Sequence, residues 1–356
     1  MAGDSQLPLF GDGPAAAASP AGADGAAAAG RAAGGTAAPP RSATAGVGAA
    51  VVPAEVAELA RRLPAGLHFG GSTWSFPGWA GLVYDRAYPV ARLARHGLAA
   101  YARHPLLRAA GIDRTHYRPL PAAELAAYAA VVPPDFLFLV KAHDACTLAR
   151  FPDHPRYGAE RGQPNPRFLD AGYAAGEVVA AYAAGLGGRG GALLFQFAPQ
   201  ELGPPARFAA RLHAFLAALP RGPLYAVELR NRELLTADYA AALAGAGACH
   251  CLSVHPRMPD VRVQAHLTAA APLTVGRWLL GGGATYEAAG KRFAPFNRLA
   301  APDLAARRAW AELARQALAA GRRFLLTVNN NAEGCAPLSI AALARELLAP
   351  PAPREP

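Results

Sequence analysis

Apolar positions along the chain fall in short continuous runs, separated by longer windows in which alanine and leucine recur at helical spacing. Eight runs stand out, at residues 68–72, 111–113, 136–141, 192–197, 225–230, 249–253, 274–278 and 324–330. Each predicts a strand buried on both faces, because a run without polar alternation has no solvent side. The windows at 54–63, 89–103, 122–130, 168–184, 205–219, 237–246, 302–320 and 339–348 predict helices. Strand and helix alternating in this way predict an α/β chain with a parallel sheet. Eight such units in about 290 residues predict closure into a (β/α)8 TIM-type barrel. Between the seventh and eighth strands the cluster Gly281-Gly282-Gly283 predicts an extra loop ahead of the helix.

The first 53 residues are different. They are alanine, glycine, proline, serine and threonine with almost no large side chain, so no core can form there. A disordered leader is expected over 1–53, the barrel over 54–349 and a disordered end over 350–356. One patch breaks the leader: Gln6-Leu7-Pro8-Leu9-Phe10 places three large apolar side chains where nothing in the segment can bury them. The pentapeptide resembles the bacterial sliding-clamp binding motif, which implies Gln6 at a pocket rim and Leu7, Leu9 and Phe10 as anchors.

Charge adds a second possible partner. The chain has 35 lysines and arginines against 25 acidic residues, a net of +10. Residues 1–53 hold three aspartates and two arginines, which leaves +11 on the body. A body this basic attracts polyanions, nucleic acid and phosphorylated ligands included. A GC-rich coding bias toward arginine is the alternative source of the same charge. No apolar stretch reaches the length of a membrane span, and four cysteines in 356 residues are no disulfide framework, so a cytoplasmic location is expected.

In a barrel of this class, chemistry collects where strands end. The strand ends here carry Trp74, Asp113, Lys141, Gln196, Glu228, Arg230, His255, Arg277, Asn329 and Asn330. Glu228 is the least trivial, because it follows Tyr225-Ala226-Val227 and precedes Leu229, so its carboxylate faces inward. Arg230, two residues on and on the same face, is its expected partner. Lys141 is one of only two lysines in an arginine-dominated chain, and a lysine can give up its proton where an arginine cannot. Asp113, Lys141 and Glu228 are the expected catalytic group: Glu228 as base or acid, Lys141 as electrostatic or covalent partner, Asp113 as orienting carboxylate. Trp74, Gln196, Arg230, His255, Arg277, Asn329 and Asn330 are expected to contact substrate. No cofactor is expected; a divalent metal on His143, His255, Asp113 and Glu228 is the alternative. Cys249 and Cys251 share one face of their strand and are expected as core thiols, with His250 on the other. The irregular stretch 142–167, rich in arginine, is expected to be a mobile basic lid.

Several blocks together resemble one known group. These are Phe69-Gly-Gly-Ser-Thr-Trp-Ser-Phe-Pro-Gly-Trp79, residues 136–141, Leu194-Phe-Gln-Phe-Ala-Pro199, Ala226-Val-Glu-Leu-Arg230 and Val328-Asn-Asn-Asn-Ala-Glu-Gly-Cys-Ala-Pro337. They are similar to the YecE-like family, domain of unknown function seventy-two, and span about residues 67–348 in family order. The resemblance implies a TIM-type barrel and supplies no reaction. Three functions stay open: a DNA-associated enzyme recruited by the leader, with a role in DNA repair; a non-catalytic nucleic-acid-binding module; and a small-molecule hydrolase or isomerase.

Overall fold

In the computed structural model, which describes residues 46–268, 271–281 and 285–350, eight parallel strands close a barrel in sequence order. They are β1 Leu67–Gly71, β2 Ala109–Ile112, β3 Leu137–Lys141, β4 Gly190–Phe197, β5 Tyr225–Leu229, β6 Cys249–Val254, β7 Leu273–Trp278 and β8 Arg323–Val328. Closure comes from five aligned pairs between β1 and β8, Leu67 opposite Phe324 through Gly71 opposite Val328. All eight expected strands are present, and the barrel expected from their alternation with helices is the one observed.

Period-two alternation divides each strand between two cores. Small and branched side chains fill the interior: Ala109, Leu137, Leu139, Ala192, Leu194, Ala226, Cys249, Cys251, Val275 and Leu325 form one buried cluster. Cys249 and Cys251 are therefore core thiols, as their spacing implies. The alternate residues, among them Phe138, Phe195, Val227 and Leu326, pack outward into a larger cluster under the helices. Two glycines set how closely the layers approach. A Cβ on Gly70 would lie 1.8 Å from the Ala109 carbonyl oxygen, and one on Gly276 would lie 2.7 Å from the Trp310 ring.

Helix boundaries differ from expectation where backbone detail intervenes. The window 89–103 is two short helices, Val90–His96 and Leu98–Tyr101, meeting at Gly97. The window 168–184 contains a π-turn at Ala174–Val179 inside its helical run. Residues 47–53, placed in the leader by composition, belong structurally to the body. The Ala50 amide donates to the Val83 carbonyl at 2.9 Å, and Ala49 bridges Tyr84. Gln6, Leu7, Leu9 and Phe10, the rest of the leader up to residue 45, and residues 351–356 lie outside the described residues. None of the described helices is long and apolar enough to cross a membrane.

Candidate functional site

The inward positions change character at the carboxyl ends of the strands. Leu139 gives way to Lys141, Leu194 to Gln196, Ala226 to Glu228 and Arg230, and Val275 to Arg277, each two residues further along the same face. Register sets some of them side by side, with Gln196 opposite Glu228 and Ser253 opposite Arg277. All six of the named polar residues from Lys141 to Arg277, Ser253 included, are buried.

Arg277 is the hub. Its Nη1 donates to Glu228 Oε2 at 2.9 Å and to Gln196 Oε1 at 3.0 Å, and its Nη2 lies 3.5 Å from Asp113 Oδ2. Glu228, with no exposed surface, takes a second guanidinium on its other oxygen, from Arg230. The pairing of Glu228 with Arg230 expected from their spacing is thus present. Sequence reasoning did not find that Arg277 ties together Gln196, Glu228 and Asp113.

These contacts set the charge states. Burial alone would raise the Glu228 pKa, but Arg230, Arg277 and Lys141 outweigh it and hold the carboxyl down at about 2. Such a carboxylate stays ionised through the neutral range. It is the shared counter-ion of two arginines, Arg230 and Arg277. Lys141 is affected in the opposite sense. Burial lowers it to about 8 from 10.5; Asp113 and Glu228 oppose that shift, while Arg277 and Arg230 add to it. Its ammonium has no hydrogen bond or ion pair to any described residue. Asp113 is the exposed carboxylate of the group, with 32% of its side chain open to solvent.

The remaining expected contacts divide. Trp74 is taken up by packing: its ring sits edge-on to Tyr128 at 5.1 Å and its Nε1 donates to the Ala94 carbonyl at 3.4 Å. Asn330 braces a loop, its Oδ1 accepting from Trp79 Nε1 at 3.1 Å and from the Ala336 amide at 2.8 Å. Asn329 is half-buried and closes a turn by accepting from the Asn331 amide at 2.9 Å. His255 lies 6.4 Å, ring to ring, from Tyr286 and accepts from the Arg257 amide. Tyr286, on the helix Tyr286–Phe293, was not assigned from sequence. Its hydroxyl is buried beside Arg230; burial raises its pKa, and the Arg230 and Arg277 charges oppose that rise. From sequence this stretch is only a loop, with no helix expected at Tyr286–Phe293.

The four residues considered for a metal are dispersed. His143 contacts the Tyr173 hydroxyl at 2.7 Å, Asp113 and Glu228 face arginines, and His255 faces Tyr286. Among the described residues, no three His, Cys, Asp or Glu side chains gather as a metal ion requires. The stretch 142–167 is tethered at both ends. Asn165 Nδ2 donates to the carbonyls of Ala145 and Leu148, and buried Asp144 accepts from Tyr157 and pairs with Arg156. Between the tethers, residues 152–164 are almost all exposed. The stretch expected as a lid is therefore a loop with built-in anchors.

Two solved structures share this architecture. One is a DUF72 family protein from Enterococcus faecalis V583, with TM-score 0.54 and 16% identity over 79% of this chain and 95% of that one. The other is a DUF72 family protein from Thermotoga maritima MSB8, with TM-score 0.53 and 16% identity over 79% and 98%. At that identity the likeness speaks for the fold. No curated protein matches the chain. The family described as "Protein of unknown function DUF72" matches residues 68–356. On the sequence blocks, the barrel and that match, the chain belongs to the DUF72 family, the group that the YecE-like blocks resemble.

Proposed function

We propose that the carboxyl-end mouth of the barrel binds a phosphate-bearing ligand, either nucleic acid or a small phosphorylated molecule. The observation that carries this reading is the buried Lys141 ammonium, which has no protein partner among the described residues and stands beside two arginines. Lys141, Arg230 and Arg277 face Glu228 and Asp113, so the group carries one positive charge in excess when Lys141 is protonated. Burying that excess is costly unless an anion completes it. Arg230 Nε and the Ser253 hydroxyl are also buried without partners, and they add donors for phosphate oxygens. The basic body supports attraction of such ligands from a distance.

The test is titration with inorganic pyrophosphate and with a fluorescent oligonucleotide at several salt concentrations. Lys141→Met should weaken binding about tenfold, the value of one lost charge-assisted contact. Arg61→Met, at a side chain 72% exposed on the helix Ala54–Arg62, should not. Oligonucleotide binding with a steep salt slope assigns the mouth to nucleic acid, and pyrophosphate binding alone assigns it to a small ligand. Equal affinity of wild type and Lys141→Met for both probes overturns the reading. Recruitment to a bacterial sliding clamp by Gln6, Leu7, Leu9 and Phe10 rests on the pentapeptide alone. It is tested by clamp pull-down with Leu9→Ala and Phe10→Ala, where undiminished capture refutes it.

A further inference from the structure

We infer that Lys141 is an imine-forming nucleophile, and that the ligand of the mouth is a small phosphate-bearing aldehyde or ketone. The geometry is that of a reactive amine with its surroundings already committed. Every other charged group near it is engaged: Glu228 by Arg230 and Arg277, Asp113 by Arg277. Lys141 is itself buried, and none of the described residues contacts its ammonium by hydrogen bond or ion pair. It projects from the inward face of β3 into the polar layer, where the two arginines are placed to hold an anion.

Its charge state fits the same role. With burial lowering it to about 8, about one amine in ten is uncharged at pH 7, against about one in three thousand for an unperturbed lysine. The titratable and charged groups facing it are Asp113, Glu228, Arg230, Arg277 and His116. His116 is itself held well below its ordinary pKa, by burial first and by the charges of Lys141 and Arg156 after it, so it adds no charge near neutrality.

The step balances without a co-reactant. The neutral Nζ attacks the carbonyl carbon, a C–N bond forms, and the C=O pair moves to oxygen, which takes a proton. The carbinolamine then expels that oxygen as water while the nitrogen lone pair forms C=N. The net change is amine plus carbonyl giving imine plus water. Asp113, partly open to solvent, is the carboxylate placed to relay these protons, because Glu228 stays ionised. Glu228 and Asp113 stabilise the positive charge of the protonated imine.

The inference rests on the proposed phosphate-binding mouth for the ligand's charge, and its test separates the two. The chain has only two lysines, and Lys291 is an internal control, 79% exposed and paired with Glu287 on the helix Tyr286–Phe293. Full-length protein is treated with pyridoxal phosphate, reduced with borohydride and mapped by peptide mass. Lys141 should be labelled saturably and at least tenfold faster than Lys291, with the rate climbing toward pH 8 and falling when pyrophosphate is added. Lys141→Arg should lose the label; if that variant fails to fold, the ratio of the two wild-type lysines decides alone. Labelling of Lys291 at an equal or greater rate, with pyrophosphate still bound, overturns imine formation and leaves the phosphate site standing. If pyrophosphate does not bind but unphosphorylated pyridoxal labels Lys141 preferentially, the amine is reactive and the ligand class is overturned.

Discussion

Glu228→Gln tests the buried charge layer most directly. The substitution keeps size but turns one of the two acceptor oxygens into a donor and removes the one charge that two guanidiniums share, both almost fully buried. Arg277 would retain Asp113 at 3.5 Å, whereas Arg230 would be left with no other ion pair among the described residues. Breaking a buried pair from one side costs about 3–5 kcal/mol. Linkage gives a consistent figure: a carboxyl at about 2 in the fold and 4.5 unfolded contributes on the order of 3 kcal/mol. At about 2–4 °C per kcal/mol for a domain of this size, the melting temperature should drop by about 10 °C at pH 7. The pH dependence has a definite sign. The folded pKa is depressed, so the stabilisation is complete above pH 4.5 and is lost as pH falls from 4.5 toward 2. The gap between wild type and variant should therefore close over that window. Circular-dichroism melts from pH 2.5 to 8 would measure it, with Glu287→Gln, at an exposed pair, as a control expected to shift little. A variant melting within 2 °C of wild type at pH 7, or a gap that does not change with pH, would refute the placement of Glu228 as a buried counter-ion.

Three further outcomes follow from neighbouring parts of the barrel. Lys141→Met should stabilise the protein at pH 7, by up to about 3 kcal/mol. The folded pKa of Lys141 lies below its unfolded value, so the cost of the buried charge is present below pH 8 and is relieved between about 8 and 10.5; urea midpoints should rise with pH over that range in wild type and stay flat in the variant. Asn330→Ala orphans the Trp79 indole and the Ala336 amide, costing about 2–4 kcal/mol in urea unfolding while leaving pyrophosphate affinity within twofold. Gly70→Ala drives a methyl to 1.8 Å from the Ala109 carbonyl oxygen, so β1 and β2 cannot pair, and soluble folded protein should be lost.

How much of this was legible in the sequence depended on the range of the interaction. The strands were, because continuous apolar runs between alanine-rich windows have few other solutions, and Glu228 was conspicuous because Val227 and Leu229 enclose it. Arg230 followed from simple alternation. Arg277 meets Glu228 across 49 residues and Asp113 across 164, and no local pattern encodes which inward arginine reaches which carboxylate. Tyr286 arrives on the helix Tyr286–Phe293, in a stretch that the glycine cluster marked only as a loop. Trp74 and Asn330 have the residue types of ligand contacts, yet their partners, Tyr128 on the helix Ala122–Ala130 and Trp79 in the turn Pro77–Trp79, meet them through tertiary packing that periodicity does not describe. Lys141 was conspicuous by composition, and the structure supplies a physical reason for lysine there. An arginine in its place would set three permanent guanidinium charges against two carboxylates in a buried layer, with no proton to release. A lysine can discharge when the mouth is empty and recharge when an anion arrives, so occupancy of the mouth and protonation of position 141 are thermodynamically linked. The pKa of Lys141 should accordingly rise on pyrophosphate binding, with proton uptake near pH 8 that buffer-dependent calorimetry would read directly; binding without proton uptake would place the anion away from this nitrogen.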